Sequence, residues 1–110
     1  ISNTRRVIDL VLECALPVRC LETNIYSAPS ENAQDLAEHQ KSTAPFDYLV
    51  KAIRPRVIVT HGNDALDHVR RRGISACIIP ERHFSRGFSN DDALALGRKV
   101  AIEVRRIAGQ

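Results

Sequence analysis

The chain has 110 residues, of which 44% are hydrophobic and 26% are charged, and its formal net charge is +3. These values are ordinary for a single globular domain and exclude a disordered or fibrous chain. The mild positive charge is compatible with nucleic-acid binding without requiring it, and no apolar run approaches the length needed to cross a bilayer.

The first quarter of the chain is predicted to contain a buried helix and a short strand. Residues 5–16 are mostly apolar, which indicates a largely buried helix that Pro17 ends. Residues 18–25 begin apolar and end polar, a pattern typical of a short strand. The polar segment 27–44 is interpreted as a long surface connection, in which residues 32–39 could form one weak helix.

The middle of the chain is predicted to form a helix, a strand and a second helix. Apolar residues follow the i, i+3, i+4, i+7 spacing of an amphipathic helix over residues 45–53, and proline suits its first turn. The β-branched residues 57–59 are typical of a strand covered on both faces. They run into a turn at residues 60–63, and the helix that follows ends at Gly73.

The last third of the chain is predicted to add one strand and one helix. Residues 74–79 form the strand, which Pro80 ends, and residues 81–90 form a loop. Asn90 is expected to cap the final helix, with the acidic residues Asp91 and Asp92 in its first turn.

This alternation predicts an α/β fold of three layers, in which helices cover both faces of a central parallel sheet. The series opens with a helix, although a crossover helix normally follows a strand. We therefore expect that the first strand is missing and that residues 1–110 are one domain, incomplete on its N-terminal side. The open sheet edge left in this way could support self-association.

The cysteine content and the missing motifs narrow the class of protein. Cys14, Cys20 and Cys77 form no C-x-x-C pair and leave one thiol over in any disulfide scheme, which favours a reduced, cytoplasmic protein. No basic-then-apolar leader opens the sequence, and we expect no membrane partner. No G-x-S-x-G turn is present, and the four histidines lack the spacing of a metal site. We expect neither a metal nor another cofactor.

Ligands of open parallel sheets bind beyond the carboxyl ends of the strands, where this sequence places three polar segments. In the first segment, Asn24 could match a donor–acceptor pair on the edge of a base, because a carboxamide both donates and accepts hydrogen bonds. Its alternative role is to satisfy backbone groups as the strand turns into a loop, and this is the commoner role of asparagine in turns.

The second polar segment joins the strand at residues 57–59 to the helix after it. The amides of Gly62 and Asn63 could hold a phosphate at the start of that helix. The segment has a single glycine and no lysine in the Walker position, which favours a tight turn with a polar helix cap. We interpret the neighbouring His61 as a packed imidazole rather than a ligand.

The third polar segment, residues 81–90, combines a histidine, two arginines and two phenylalanines. Phe84 and Phe88 are unusual in a polar loop, because exposed aromatic side chains favour association with a partner. Arg86, together with Phe88, could place a cation near phosphates and an aromatic ring against bases. Alternatively, both rings fold back into the core while the arginines face water, and composition does not decide between the two interpretations.

In this order, the three segments resemble the uracil-DNA glycosylase superfamily. The resemblance spans nearly the whole chain: Thr23-Asn24 ends a strand, residues 54–65 follow a Pro-x-hydrophobic-strand-Gly-x-x-Ala arrangement, and His83-Phe84-Ser85 precedes the final helix. It implies a cofactor-independent enzyme that hydrolyses the N-glycosidic bond of uracil, or of a related damaged base, in DNA. Such enzymes flip the base out of the helix before they cleave it.

The resemblance also implies roles for individual residues. Asn24, next to Thr23, would recognise the edge of the uracil, and His83 would be the catalytic residue that hydrogen-bonds the leaving base. Ser85 would help to hold a phosphate. The DNA-binding part of the loop would consist of Arg86, Gly87 and Phe88.

Two features depart from the pattern of this superfamily. Its first motif is a glycine-containing loop with a polar residue that positions the attacking water, and no glycine precedes Gly62 in this chain. Its usual His-Pro-Ser is His-Phe-Ser here, which changes the loop backbone. The alternative function is therefore a non-catalytic α/β domain that binds nucleic acid or a nucleotide.

Overall fold

The computed structural model of the chain describes residues 2–26 and 42–109. Within these residues, four helices and two strands occur in the order α1 (Asn3–Ala15), α2 (Ala44–Ile53), β1 (Val57–His61), α3 (Asn63–Arg72), β2 (Cys77–Glu81) and α4 (Asn90–Ala108). The chain divides into two compact units. The larger unit comprises Ile1–Cys20 and Arg56–Gln110, and the smaller comprises Leu21–Pro55.

The two strands of the larger unit form a parallel pair, which α3 connects. Their register runs from Val57 opposite Cys77 to His61 opposite Glu81. The amide of Gly62 donates to the carbonyl of Glu81 at 3.0 Å and so continues the ladder one residue beyond β1. Parallel strands joined by a helix confirm the α/β class that the alternating pattern predicted.

The hydrophobic core of the larger unit lies between α1, α4 and the sheet. Half-buried side chains of both strands, including Val59 and Cys77, pack against it. Complete burial of a large apolar side chain contributes about 1.5–3 kcal/mol, so this cluster is the main stabilising feature of the unit. Its buried members are Val7, Val11, Ala15, Ile79, Phe84, Phe88, Ala93, Leu96 and Val100.

Serine side chains fix the first turn of both long helices. The hydroxyl of Ser2 accepts a hydrogen bond from the amide of Arg5 at 3.1 Å and caps α1. At α4, Ser89 and Asp92 form a reciprocal capping box, with both hydrogen bonds at 3.0 Å. The expectation that Asn90 caps this helix is therefore wrong, because the serine one residue earlier has the extended backbone that a cap requires.

Two of the predicted strands differ from the structure. Residues 18–25 contain no strand, and Leu21 is 61% exposed, since no neighbouring strand among the described residues pairs with this segment. The second strand covers Cys77–Glu81 rather than residues 74–79, and Pro80 lies inside it, opposite Thr60. A proline is tolerated there because β2 has only one neighbour among the described strands. The helix suggested for residues 32–39 lies outside the described residues.

A glycine in α4 allows that helix to approach α1 very closely. A methyl group added to Gly97 would lie 2.6 Å from Cβ of Cys14 and 2.8 Å from the carbonyl oxygen of Val11. Carbon atoms in contact normally stay about 3.5–4.0 Å apart, so neither helix can keep its position if a side chain is present. Gly97 is therefore required by packing, although glycine itself weakens the interior of a helix.

We expect Gly97→Ala to lower the free energy of unfolding by roughly 1–3 kcal/mol, the usual range for overpacking of a core. The loss should exceed the gain of about 1 kcal/mol that alanine brings to a helix. Urea denaturation of the parent and the variant measures the difference. Arg98→Ala, at the exposed neighbouring position, is the control and should change stability by less than about 0.5 kcal/mol. Equal stability of Gly97→Ala and the parent would contradict the close approach of the two helices.

Candidate functional site at the carboxyl end of the sheet

Residues 82–89, which we call the 82–89 loop, connect the end of β2 to the start of α4. The two phenylalanine rings of this loop, Phe84 and Phe88, are each 4% exposed and belong to the hydrophobic core. Their centroids are 4.8 Å apart, and the rings meet edge to face. Of the two interpretations that composition left open, the structure therefore supports the one in which both rings fold back into the core. As folded, Phe88 does not present its ring to a base.

Two polar side chains of helix α1 form hydrogen bonds to the backbone of the 82–89 loop. The amide nitrogen of Asn3 donates to the carbonyl of Ser85 at 3.2 Å. The guanidinium of Arg6 donates to the carbonyl of Phe88 at 2.7 Å and also to the side-chain oxygen of Asn90. A charged donor forms a stronger hydrogen bond than a neutral one, so Arg6 is the stronger of the two restraints.

Arg82, the first residue of the loop, also restrains the end of the loop. Its guanidinium pairs with the carboxylate of Asp92 at 2.9 Å and donates to the carbonyl of Gly87. It also lies 4.6 Å above the centroid of the Phe88 ring. The hydrogen bonds from Ser89 and Arg82 hold the pKa of the Asp92 carboxyl below its usual value. The start and the end of the loop are thus joined through one arginine.

His83 lies two residues beyond β2, exposed at the carboxyl edge of the sheet. Its Nδ1 accepts a hydrogen bond from the backbone amide of Ser85 at 3.1 Å, and the Ser85 hydroxyl lies 2.8 Å from the same nitrogen. A nitrogen that accepts from an amide carries no proton, so a neutral imidazole in this geometry carries its proton on Nε2. The neutral form of His83 therefore has one defined N–H donor at the edge of the sheet.

His61, the last residue of β1, packs against the loop from below. Its ring stacks on Phe84, with centroids 4.1 Å apart and planes inclined by 1°, and its Nδ1 accepts from the Phe84 amide at 3.3 Å. The ring centroid of His83 is 4.7 Å away. Burial, together with the positive charge that His83 can carry, lowers the pKa of His61 from 6.5 to about 4. The interpretation of His61 as a packed imidazole is confirmed, and it is neutral near pH 7.

Gly62 allows the His83 ring to lie close to the end of β1. Its backbone has φ = +91°, which side-chain-bearing residues rarely adopt, and a Cβ at this position would lie 3.1 Å from Cδ2 of His83. Gly62 is also the N-cap residue of α3 and supplies no side-chain cap. The expected polar cap is thus replaced by a glycine whose role is to leave space for an imidazole.

Arg86 lies near the apex of the loop and is exposed, and in the described part of the chain its guanidinium has no hydrogen-bond or ion-pair partner. Gly87, next to it, has φ = +65° and no atom within 4 Å of a would-be Cβ. The chain thus turns sharply in open space after Arg86. Because Arg82 is paired with Asp92, Arg86 is the cation of the loop that can contact an external anion.

Thr23 and Asn24 belong to the smaller unit, and both are exposed. The Thr23 hydroxyl donates to the carbonyl of Asn24 at 3.3 Å. Because the strand expected at residues 18–25 is absent, they lie in irregular backbone rather than at a strand end. His83, Ser85 and Arg86 all lie in the 82–89 loop, while the role of Asn24 in recognising a base stays a prediction.

Sequence reasoning missed the side chains that hold the loop in place. Asn3 and Arg6 lie more than 80 residues from their acceptors, so no local pattern signals their role. Arg82 belongs to the loop, and its pairing with Asp92 ten residues later also has no periodic signature. The apolar composition of residues 5–16 indicated a largely buried helix, but not which polar residues at the start of α1 contact the loop.

No protein-family model, curated protein or solved structure matches the chain significantly. Within residues 2–26 and 42–109, no helix is both long and apolar enough to cross a membrane. In the same part of the chain, no three His, Cys, Asp or Glu side chains are grouped as metal ligands. The resemblance to uracil-DNA glycosylases therefore rests on the sequence motifs alone.

The lowered pKa of His61 predicts a pH dependence of folding. The unfolded chain binds a proton at His61 near pH 6.5, whereas the folded chain does so only near pH 4. As the pH falls between these values, the free energy of unfolding decreases, because unfolding takes up as much as one proton at His61. Above pH 6.5, His61 adds no pH dependence. The stability difference between the parent and His61→Asn, measured by urea denaturation near pH 7 and near pH 4.5, should therefore shrink at the lower pH.

The neighbouring titratable groups, Glu81 opposite His61 on β2 and His83 in the loop, are present in both proteins and contribute to both curves. Parallel pH profiles for the parent and His61→Asn would contradict the neutral, packed state of His61.

Proposed function

We propose that the protein is a uracil-DNA glycosylase-like enzyme, which hydrolyses the N-glycosidic bond of uracil, or of a related damaged base, in DNA. The observation that carries the proposal is the N–H donor of His83, exposed at the carboxyl edge of a parallel sheet and fixed by a backbone amide on the opposite ring nitrogen. Ligands of α/β proteins bind at this edge. The function needs neither a metal nor another cofactor.

The proposal includes a complete α/β/α architecture of three layers around a larger parallel sheet. The parallel pair β1 and β2, with α3 as its crossover, would be the part of that sheet present in the larger unit. Residues 1–110 would belong to a single, cytoplasmic domain.

The chemistry requires stabilisation of a departing anion. When the N-glycosidic bond breaks, the electron pair of the bond leaves with the base and the sugar becomes cationic. Water then adds its oxygen to the sugar as a hydroxyl group, and its remaining proton neutralises the departing base anion. The Nε2–H of His83 would donate to an oxygen of the leaving base as negative charge develops there. A donor held in place before the reaction is effective because it does not have to reorganise in the transition state. The restraints on the 82–89 loop from α1 and Arg82 would provide this preorganisation.

The other predicted site residues would bind the DNA. Asn24, with Thr23, would recognise the edge of the flipped base, since its carboxamide can donate and accept at the same time. Arg86 would contact a backbone phosphate, a role that suits an exposed guanidinium with no partner in the described part of the chain. Ser85 would hold a neighbouring phosphate through its hydroxyl group, and Gly87 would allow the turn between them.

One specific observation favours a second candidate, a non-catalytic α/β domain that binds nucleic acid or a nucleotide. No glycine precedes Gly62, so the 110 residues lack the superfamily's glycine-containing motif for positioning water. The two candidates are separated by incubating the intact protein, with any residues that precede Ile1, with a uracil-containing oligonucleotide and cleaving abasic sites with alkali. Strand cleavage that requires uracil supports the enzyme. DNA binding without cleavage supports the second candidate.

His83→Ala should lower the single-turnover rate of base excision by about a hundredfold or more, the usual cost of removing one preorganised donor. DNA affinity should change by less than about twofold, since the hydrogen bond strengthens mainly as charge develops on the base. Single-turnover rates at saturating enzyme and filter-binding affinities measure the two effects separately. Cleavage at the parent rate would exclude His83 as the catalytic residue.

Arg86→Ala should have the opposite profile. Loss of one phosphate contact weakens DNA binding and lowers the slope of log K against log salt by about one unit. The excision rate at saturation should change by less than about threefold, because the contact forms equally in the ground state and the transition state. Arg70→Ala removes one exposed charge from the end of α3 and serves as the charge-matched control. Equal effects of the two substitutions would show that Arg86 contributes only to the net charge.

A further inference from the structure

We propose that His61 is a positioning residue for His83, acting through the hydrogen bond that its Nδ1 accepts from the backbone amide of Phe84. This inference rests on the proposed function for its catalytic consequence. Its structural part, the fixed position and tautomer of His83, is tested independently of any activity.

The contact between His61 and the loop is located where it controls the backbone on both sides of Phe84. His83 and Ser85 are the residues directly before and after Phe84, and the hydrogen bond between them defines the tautomer of His83. The amide of Phe84 lies between these two groups, and it points at Nδ1 of His61 over 3.3 Å. The Phe84 amide belongs to the peptide plane that joins His83 to Phe84, so its direction sets backbone torsion angles on which the placement of both the His83 side chain and the Ser85 amide depends.

The Phe84 amide depends on His61 because Phe84 is buried. A buried amide without an acceptor costs about 1–3 kcal/mol, so the loop would rearrange rather than leave this group unsatisfied. The stacked ring of Phe84 favours the same geometry but does not fix it, since a stacked ring can slide in its plane. The directional restraint on the loop backbone is the hydrogen bond to Nδ1.

The position of His61 is in turn fixed by the sheet. His61 is the last residue of β1 and lies opposite Glu81 in the parallel ladder, and the amide of Gly62 immediately after it donates to the carbonyl of Glu81. Residues on regular strands hold a site more precisely than residues on loops. The proposed catalytic residue, His83, therefore lies on a loop, while the residue that positions it, His61, lies on a strand.

The neutral state of His61 is also required by this role. A protonated Nδ1 would carry an N–H facing the N–H of Phe84, and two donors cannot form a hydrogen bond. Burial and the neighbouring His83 both favour the neutral form, in agreement with the lowered pKa of His61. The imidazole thus supplies an acceptor without adding a second charge beside His83.

Two substitutions separate the acceptor from the ring. In His61→Asn the side-chain oxygen occupies the place of Nδ1, which keeps the acceptor and removes the aromatic stack. In His61→Phe the ring remains and the acceptor is lost. We expect His61→Phe to lower the single-turnover rate between about tenfold and a hundredfold, since small displacements of a catalytic group have effects of this size. His61→Asn should remain within about threefold of the parent, and DNA affinity should be unchanged in both.

The tautomer of His83 distinguishes a positioning role of His61 from a general effect on stability, because a loss of stability alone would not change which ring nitrogen of His83 carries the proton. Long-range proton–nitrogen NMR spectra distinguish a protonated from an unprotonated ring nitrogen, and His83→Gln identifies the signals. We expect the Nε2–H tautomer of His83 alone in the parent and in His61→Asn, and a mixture of both tautomers in His61→Phe. His68→Asn, which removes another buried imidazole on α3, controls for general effects of losing a histidine and should leave the His83 signals unchanged.

The outcomes distinguish this inference from the proposed function. A parent protein without glycosylase activity would overturn the function, while the His83 tautomer would still decide whether His61 positions it. A single Nε2–H tautomer in His61→Phe, or a mixture in the parent, would overturn the positioning role. If His61→Phe does not fold, retention of the rate and the tautomer in His61→Asn supports the role, and their loss in a folded His61→Asn overturns it.

Discussion

The burial of two phenylalanine rings from the 82–89 loop is the interaction on which the candidate site depends. Removing a buried phenylalanine side chain typically costs about 3–5 kcal/mol, which is comparable with the whole stability of a small domain. Phe84 and Phe88 pack among side chains of α1, β2 and α4, so the loop cannot leave the surface without opening the core.

Hydrogen bonds to the backbone of the 82–89 loop determine which conformation the loop adopts once Phe84 and Phe88 are buried. Two polar side chains at the start of α1, Asn3 and Arg6, donate hydrogen bonds to the loop carbonyls of Ser85 and Phe88. The loop amides at Phe84 and Ser85 have imidazole acceptors. Both kinds of backbone group are thus satisfied by specific side chains, and this fixes the direction of each peptide plane. Apolar burial supplies the stability of the loop, and the hydrogen bonds supply its geometry.

The parts of the fold that sequence could predict are those with a local physical cause. The mostly apolar residues 5–16 located α1, the apolar spacing over residues 45–53 located α2, and the β-branched residues 57–59 located β1. The prediction of a strand at residues 18–25 was wrong, because a strand needs a neighbouring strand to pair with and a local pattern does not show whether one is present. The location of Phe88 could not be decided, since an aromatic residue in a polar loop is compatible with either a partner or a core. The roles of Asn3 and Arg6 depend on tertiary proximity across most of the chain.

Pro80 has a consequence for the direction in which this sheet can grow. The amide of Cys77 donates to the carbonyl of Arg56, and the carbonyl of Glu81 accepts from Gly62, so alternate residues of β2 from Cys77 to Glu81 direct their backbone groups toward β1. Ile78 and Pro80 therefore face the opposite edge, where Pro80 has no N–H to offer. A further strand beside β2 would lose a hydrogen bond at that position, whereas Val57, Val59 and His61 leave the outer edge of β1 with a complete set of donors. An additional strand would thus join at β1, and the proline makes β2 a natural boundary of the sheet.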